Sequence, residues 1–268
     1  MTKRRGATAA LLLVLLVGSP YSTAAVPTTS TCDVRYPSDT RVPWVCRVLA
    51  RGETAERLFG DRWIDVLRFN RIDRRHAVAG TSLKVPRRLR DVRGFTPMPA
   101  IYGEATGDAK FVLIDLTEQF LGAYEQGRLA FSSPLSTGDA DHPTPTGDFT
   151  VTAAHRYHSS SLYTIEATGV PYPMTWALRF HITREGVSSW LHGRDVPGYP
   201  GSHGCIGLYD EWMQQSYYGA PTRPVLDDAR RLYEWVAGAG ADDSQPRTIA
   251  GPRLRIVGSA SANRSAGR

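Results

Sequence analysis

From Phe111 onward, glycine and proline cut the chain into short apolar runs, and that punctuation restricts the fold more than any other feature. The run Phe111-Val112-Leu113-Ile114-Asp115-Leu116 reads as a buried strand. Residues 121–124 and 128–132 read as the next two strands, joined through Gln126-Gly127. Residues 149–152 alternate, 177–182 and 188–191 continue the pattern, and 253–257 form a last strand. Helical periods are few. The clearest spans 227–236, where Leu226, Arg230, Leu232, Tyr233 and Val236 can share faces. These signals predict a mainly β fold, a sandwich or a barrel. With 41% apolar and 22% charged residues, the chain is too apolar to be disordered.

The first thirty residues give an address. Lys3, Arg4 and Arg5 precede nine apolar residues (9–17), then the breakers Gly18, Ser19 and Pro20, then the small residues Ser22, Thr23, Ala24 and Ala25. That order predicts a secretory signal peptide over 1–25. Nine residues cannot cross the membrane core, which takes about 20 in a helix. No later window approaches a spanning length, so the mature protein is expected in the periplasm or cell wall without a stable membrane span. Lys and Arg number 32 against 26 Asp and Glu. Without the three basic leader residues the balance is 29 against 26, well interspersed, which argues against nucleic acid as a partner.

Residues 26–45 form an arm rich in Thr, Ser, Pro and Asp, with no periodic face. Cys46-Arg47-Val48-Leu49 then reads as a short strand, and Gly52-Glu53-Thr54 as a turn whose Thr54 caps a helix. Ala55, Leu58 and Phe59 fall at helical spacing, as do Trp63, Val66 and Leu67 after Gly60-Asp61. Asn70 closes the second helix, and Ser82-Leu83-Lys84-Val85-Pro86 is a terminal strand. This strand–helix–helix–strand unit over 46–86 resembles a LysM domain. The resemblance implies a small α+β module that binds glycans containing N-acetylglucosamine; the alternative is a packing module without sugar affinity. Residues 87–107 read as a linker, and 259–268 as a flexible Ser/Ala-rich tail.

Export makes the three cysteines informative, since in an oxidising compartment structural cysteines pair and an odd count leaves one thiol over. Cys205 stands in the stretch Trp190-Leu191-His192-Gly193-Arg194-Asp195-Val196-Pro197-Gly198-Tyr199-Pro200-Gly201-Ser202-His203-Gly204-Cys205-Ile206. Two histidines lie near it in sequence, and an imidazole can take a thiol's proton to make the nucleophile. Gly204 allows close approach of a substrate, and nearby backbone N–H groups can form an oxyanion hole. A zinc site in this stretch would want a cysteine paired with Cys205 or the carboxylate–histidine spacing of catalytic zinc sites, and the stretch offers neither.

Ser202-His203-Gly204-Cys205-Ile206 after His192-Gly193 resembles the signature of L,D-transpeptidases with a YkuD-type catalytic domain. Ser136-Thr137-Gly138, the run from Thr144 through Pro145, Thr146, Gly147 and Asp148 to Phe149, and Pro171-Tyr172-Pro173-Met174 with Phe180-His181 extend the resemblance over about 110–210. It implies a β-sandwich catalytic domain over 108–258. In it Cys205 is the nucleophile, His192 the general base oriented by the Gly193 carbonyl, and His203 a residue that shapes the site. Gly204 and Cys205 supply oxyanion N–H groups, with Ser202 and Arg194 beside the substrate.

The implied reaction is attack on the third residue of a peptidoglycan tetrapeptide stem, release of D-Ala, and transfer of the thioester to an amine on another stem or a wall-linked protein. No metal or cofactor is required. An L,D-carboxypeptidase and a non-catalytic wall-binding protein are the alternatives. A papain-like peptidase would place its cysteine well before its histidine. One position departs from the family pattern, which sets Arg or Asn where this chain has Gly207; Arg194 is either an alternative partner for a carboxylate or a solvated loop arginine. With Cys205 reserved for attack, Cys32 and Cys46, fourteen residues apart, are expected to pair.

Overall fold

The Thr54 hydroxyl accepts the main-chain N–H of Arg57 and so starts the first helix of an N-terminal module. The computed structural model describes residues 30–165, 168–239 and 245–260. The expected leader at 1–25 and residues 261–268 of the tail lie outside them. In the module, Trp44–Val48 (β1) and Ser82–Pro86 (β2) pair antiparallel, with Cys46 opposite Lys84. Ala55–Phe59 (α1) and Trp63–Asn70 (α2) lie between them, so the expected order of elements is present. β1 begins at Trp44 rather than Cys46, because Trp44 and Val45 have Pro86 and Val85 as ladder partners.

The arm is not the loose segment its composition suggests. A disulfide between Cys32 and Cys46, with Cα atoms 5.9 Å apart, ties it to β1. Val34, Tyr36, Ser38, Asp39 and Val42 are buried. The cause is Arg71, which ends α2 in a left-handed conformation and is wholly buried. Its guanidinium reaches Asp39 and Glu118, both at 3.1 Å, and the Ser38 hydroxyl at 2.7 Å. Lys84, also wholly buried, pairs with the other oxygen of Asp39 at 2.5 Å. Buried cations need such partners, and the arm supplies them.

The rest of the chain is a two-sheet sandwich. Its elements are Phe111–Asp115 (β3), Phe120–Glu125 (β4), Arg128–Pro134 (β5), Gly147–Thr150 (β6), Ala153–Thr164 (β7), Pro171–Ile182 (β8), Ser188–Gly193 (β9) and Ile206–Leu208 (β10). Glu211–Tyr218 (α3), Asp228–Ala237 (α4), Arg247–Thr248 (β11) and Arg253–Val257 (β12) follow. One sheet has the order β5-β4-β3-β12-β6 and the other β10-β9-β8-β7-β11. Val112, Ile114, Leu254 and Ile256 of the first meet Leu178, Leu191 and Ile206 of the second, with Leu232 and Tyr233 of α4 closing the core. β3 is apolar without alternation because both faces are covered: Phe111 and Leu113 pack with Phe120, Tyr124 and Met98 on the far side.

Residues 87–107 are not a tether between two bodies. They hold short 3-10 turns at Leu89–Val92 and Gly103–Ala105 and bury Val92, Met98 and Ala105. Phe95 sits edge-on between Phe69 of α2 and Phe120 of β4, at 5.0 and 6.0 Å between ring centres. Arg68 of α2 donates through Nη2 to both carboxylate oxygens of Asp228 of α4, at 2.6 and 2.7 Å. The module and the sandwich therefore share one packed interface. Among the described residues, no helix is long and apolar enough to cross a membrane.

Candidate active site

β9 and β10 run parallel, with Ile206 opposite Leu191 and Gly207 opposite His192. Cys205, one residue before β10, is thereby carried to the level of Trp190. His192, Arg194, Ser202, His203 and Cys205 all line one pocket of about 190 Å³, with Tyr163 and Tyr172 among its other walls. Residues thirteen positions apart in sequence meet because the two strands are neighbours.

His192 is buried, and its Nδ1 lies 2.7 Å from the Gly193 carbonyl oxygen. A carbonyl only accepts, so Nδ1 carries the proton and Nε2 keeps a free lone pair. Burial, helped by the charge of Arg194, pushes the imidazole pKa down to about 3, so the ring stays neutral. Burial pushes the Cys205 thiol up, against a backbone hydrogen bond at Trp190 and the charge of Arg194. At rest the two are thiol and neutral imidazole, not a preformed ion pair. Such a pair supports nucleophilic attack with the base taking the proton as the new bond forms.

The surrounding glycines are there for space and for backbone shape. A side chain at Gly193 would collide with the Thr175 hydroxyl and the Asp210 carboxylate, which are hydrogen-bonded to one another behind the turn. Asp210 also accepts the Met213 N–H at 2.9 Å, so the N-cap of α3 and the support of Gly193 are one residue. Gly204 has φ +103°, in the left-handed region, and its carbonyl accepts from the Thr144 hydroxyl at 3.0 Å. Thr144 in turn accepts the Gly138 N–H at 2.9 Å, which joins the upstream motif segments to the cysteine turn.

Cys205, His192 and Arg194 wall the pocket. Ser202, expected beside the substrate, lines the pocket too, and its hydroxyl donates to the Cys205 carbonyl at 2.7 Å and so holds the turn. His203 is exposed and stacks on Tyr163, with ring centres 4.4 Å apart, and its other neighbour is His142 at 4.5 Å. Sequence reasoning missed Tyr163, Thr175 and Asp210. Only Asp210 carried a local signal, as an acidic residue ahead of a helix that ends at Gly219.

Among the described residues, one group has the make-up of metal ligands: Asp73, His76 and Asp195, with atoms within 4.8 Å of one another. The two carboxylates are already engaged. Asp73 accepts from His76, Val196 and Gln214, and Asp195 accepts from Gln214 and Arg75.

The family model for the YkuD L,D-transpeptidase catalytic domain matches residues 109–252, more than half of the chain. The chain belongs to this family. Among solved structures, it is similar to an L,D-transpeptidase from Stackebrandtia nassauensis at 21% identity, over 57% of this chain and 58% of that one, with a TM-score of 0.38. L,D-transpeptidase 1 of Mycobacterium tuberculosis shares 19% identity over 56% of this chain and 62% of that one, at a TM-score of 0.36. An L,D-transpeptidase from Xylanimonas cellulosilytica (residues 123–326) shares 21% identity over 80% of this chain and 100% of that one, at a TM-score of 0.44. The chain thus spans less than two thirds of the first two structures. No curated protein matches it. Gly207, where the family pattern sets Arg or Asn, lies beneath Arg194: a Cβ there would stand 2.7 Å from that side chain's Cβ and Cδ.

Proposed function

We propose that the protein is an exported peptidoglycan L,D-transpeptidase. The observation that carries this reading is the lone thiol of Cys205 in one pocket with a neutral His192 whose Nε2 is left free by the Nδ1 bond to Gly193. Sγ attacks the carbonyl of the third residue of a tetrapeptide stem while its proton passes to His192 Nε2. The carbon–nitrogen bond to D-Ala breaks, and that proton leaves with the amine. An acceptor amine then attacks the thioester, gives its proton to His192 and frees the thiol. The N–H groups of Gly204 and Cys205 steady the oxyanion, and His203 shapes the mouth of the pocket. The βααβ module and its LysM-like resemblance support a further role in holding wall glycan, in the periplasm or cell wall.

Mass spectrometry of muropeptides after incubation with the mature protein tests the reaction. Cross-linked dimers with release of D-Ala are expected. Tripeptides without dimers would replace transfer by hydrolysis, that is, an L,D-carboxypeptidase. A carbapenem is expected to add its mass to Cys205 and to leave Cys205→Ala unlabelled. No acyl-enzyme and no turnover would leave a wall-binding protein. Sedimentation of the full chain with insoluble peptidoglycan tests the glycan role, and failure to pellet removes it.

A further inference from the structure

Arg194 leaves β9 and donates its main-chain N–H to the Leu208 carbonyl at 3.0 Å. Its side chain then crosses Gly207 so closely that any Cβ at 207 would strike the stem. Gly207 has no positive φ, so its missing side chain serves space and not backbone conformation. Residues 194 and 207 share one side-chain volume, and Arg194 fills it.

What that volume presents to the pocket is a cation. The guanidinium donates through Nη2 to the Gly201 carbonyl at 2.6 Å, while its Nε is buried without a hydrogen-bond partner. Its central carbon lies 5.8 Å from the ring of Tyr172, and both residues wall the pocket that holds Cys205. Among the described residues, no carboxylate lines that pocket. The adjacent Asp195 is committed to Arg75 and Gln214. A planar guanidinium in a half-buried wall, with no acidic partner there among the described residues, matches a carboxylate brought by a ligand, with charge-assisted bonds in a fixed geometry.

We infer that Arg194 binds a carboxylate of the acyl-donor peptide and sets that peptide's register against the Cys205 thiol. The inference rests on the stem-peptide reading above and adds to it a specificity-determining residue. Gly207 is part of the same device, since a side chain there would displace the arginine. Two kinds of carboxylate on such a peptide have this chemistry: the terminal one on the leaving residue, and the internal ones nearer the scissile carbonyl.

The test compares three synthetic stem tetrapeptides: the free acid, one amidated only at its C-terminus, and one amidated only at its internal carboxyls. Binding is measured by calorimetry to Cys205→Ala, which cannot turn the peptide over, with and without Arg194→Gln. The free acid is expected to bind roughly 10- to 100-fold more tightly than one of the amides, as a charge-assisted contact is worth. Arg194→Gln is expected to erase that preference, and Arg194→Lys to keep part of it. The amide that loses affinity names which carboxylate is held. A loop-bracing role for Arg194 would weaken all three peptides alike, so an unchanged preference in Arg194→Gln overturns the inference.

If Arg194→Gln fails to fold, Arg194→Ala with Gly207→Arg offers the same volume from the other strand and is expected to restore the acid preference. A folded double variant with no preference overturns the inference as well. Acylation of wild type with equal binding of acid and amides would sink this inference alone. Absence of both binding and acylation would sink the transpeptidase reading, and this inference with it.

Discussion

Asp73, in the N-terminal module, accepts the main-chain N–H of Val196 at 2.7 Å, and Val196 returns its carbonyl to the Asp73 N–H at 2.8 Å. The loop that bears Arg194 and leads to Cys205 is therefore pinned from outside the sandwich. Tyr36 adds a hydrogen bond to the Gly198 carbonyl at 2.9 Å, and Ile72 pairs with Pro197 as an isolated bridge. Asp73→Ala removes the acceptor for Val196, Gln214 and His76 together. Each orphaned buried donor costs about 1–3 kcal/mol. Both the melting temperature and the turnover number are expected to fall. A variant with wild-type values for both would show that the loop holds its shape unaided.

Deletion of 46–86 is expected to abolish turnover of a soluble stem peptide, contrary to what a detachable anchor would do. The deletion takes Arg71 and Lys84 from Asp39, and Arg71 from Glu118. Arg71→Ala alone is expected to destabilise by about 3–5 kcal/mol, the cost of breaking a buried ion pair. Urea denaturation reads the point variant, and peptide turnover reads the deletion. A soluble, active deletion protein would restore the view of two independent parts.

The buried imidazole gives a pH signature. His192 sits near pKa 3 in the folded chain and near 6.5 when unfolded. Between those values the unfolded chain binds a proton that the folded one does not. Stability therefore rises with pH across that window and is lost as pH falls below 6.5, by up to about 1.4 kcal/mol per unit. His76 works the other way: burial lowers its pKa, but Asp73's charge and hydrogen bond outweigh this and raise it. Its contribution is complete at pH below 6.5 and fades as pH rises through the raised value. Urea denaturation of wild type and His192→Asn at several pH values between 4 and 7 is expected to show a shallower acid loss in the variant. Parallel curves would mean that the ring is not held neutral.

The Cys32 and Cys46 bridge closes a short loop around the arm. Cys32→Ser with Cys46→Ser is expected to cost about 3 kcal/mol in the chain-entropy view. Denaturation midpoints with and without the pair measure it. Peptide mapping of unreduced, alkylated protein is expected to show alkylation at Cys205 alone. A bridge including Cys205 in active protein would refute the assignment of the thiol.

Much of the sandwich was legible in the sequence because its strands announce themselves locally. β2 and β12 fall at the expected 82–86 and 253–257, and α4 starts one residue from its expected place. β7 was missed altogether, since the expected strand at 149–152 stops before it and its outer part, with Ser159, Ser160 and Ser161, reads as polar and lies largely exposed. The glycine- and histidine-rich stretch marked Cys205 and His192 for the same local reason. The supports of the site were not legible: Thr175 with Asp210 and Asp73 with Val196 are pairs 35 and 123 residues apart, and nothing short-range signals them. The packing of 87–107 escaped too, since its proline and basic residues read as a tether while Val92, Phe95, Met98 and Ala105, too scattered to show a period, make the contacts.

The bond from Tyr36 to Gly198 spans 162 residues and that from Arg68 to Asp228 spans 160. Chain ends that far apart must be brought together before such contacts return any stabilisation, which slows folding. During synthesis the arm and the module emerge long before residues 196–198 exist, so their docking face waits for a partner made near the end. The pocket around Cys205 is consequently assembled late, when both ends of the chain have met. Changes at Tyr36 or Asp73 should then register as slower refolding and delayed appearance of thiol reactivity, in addition to lower stability.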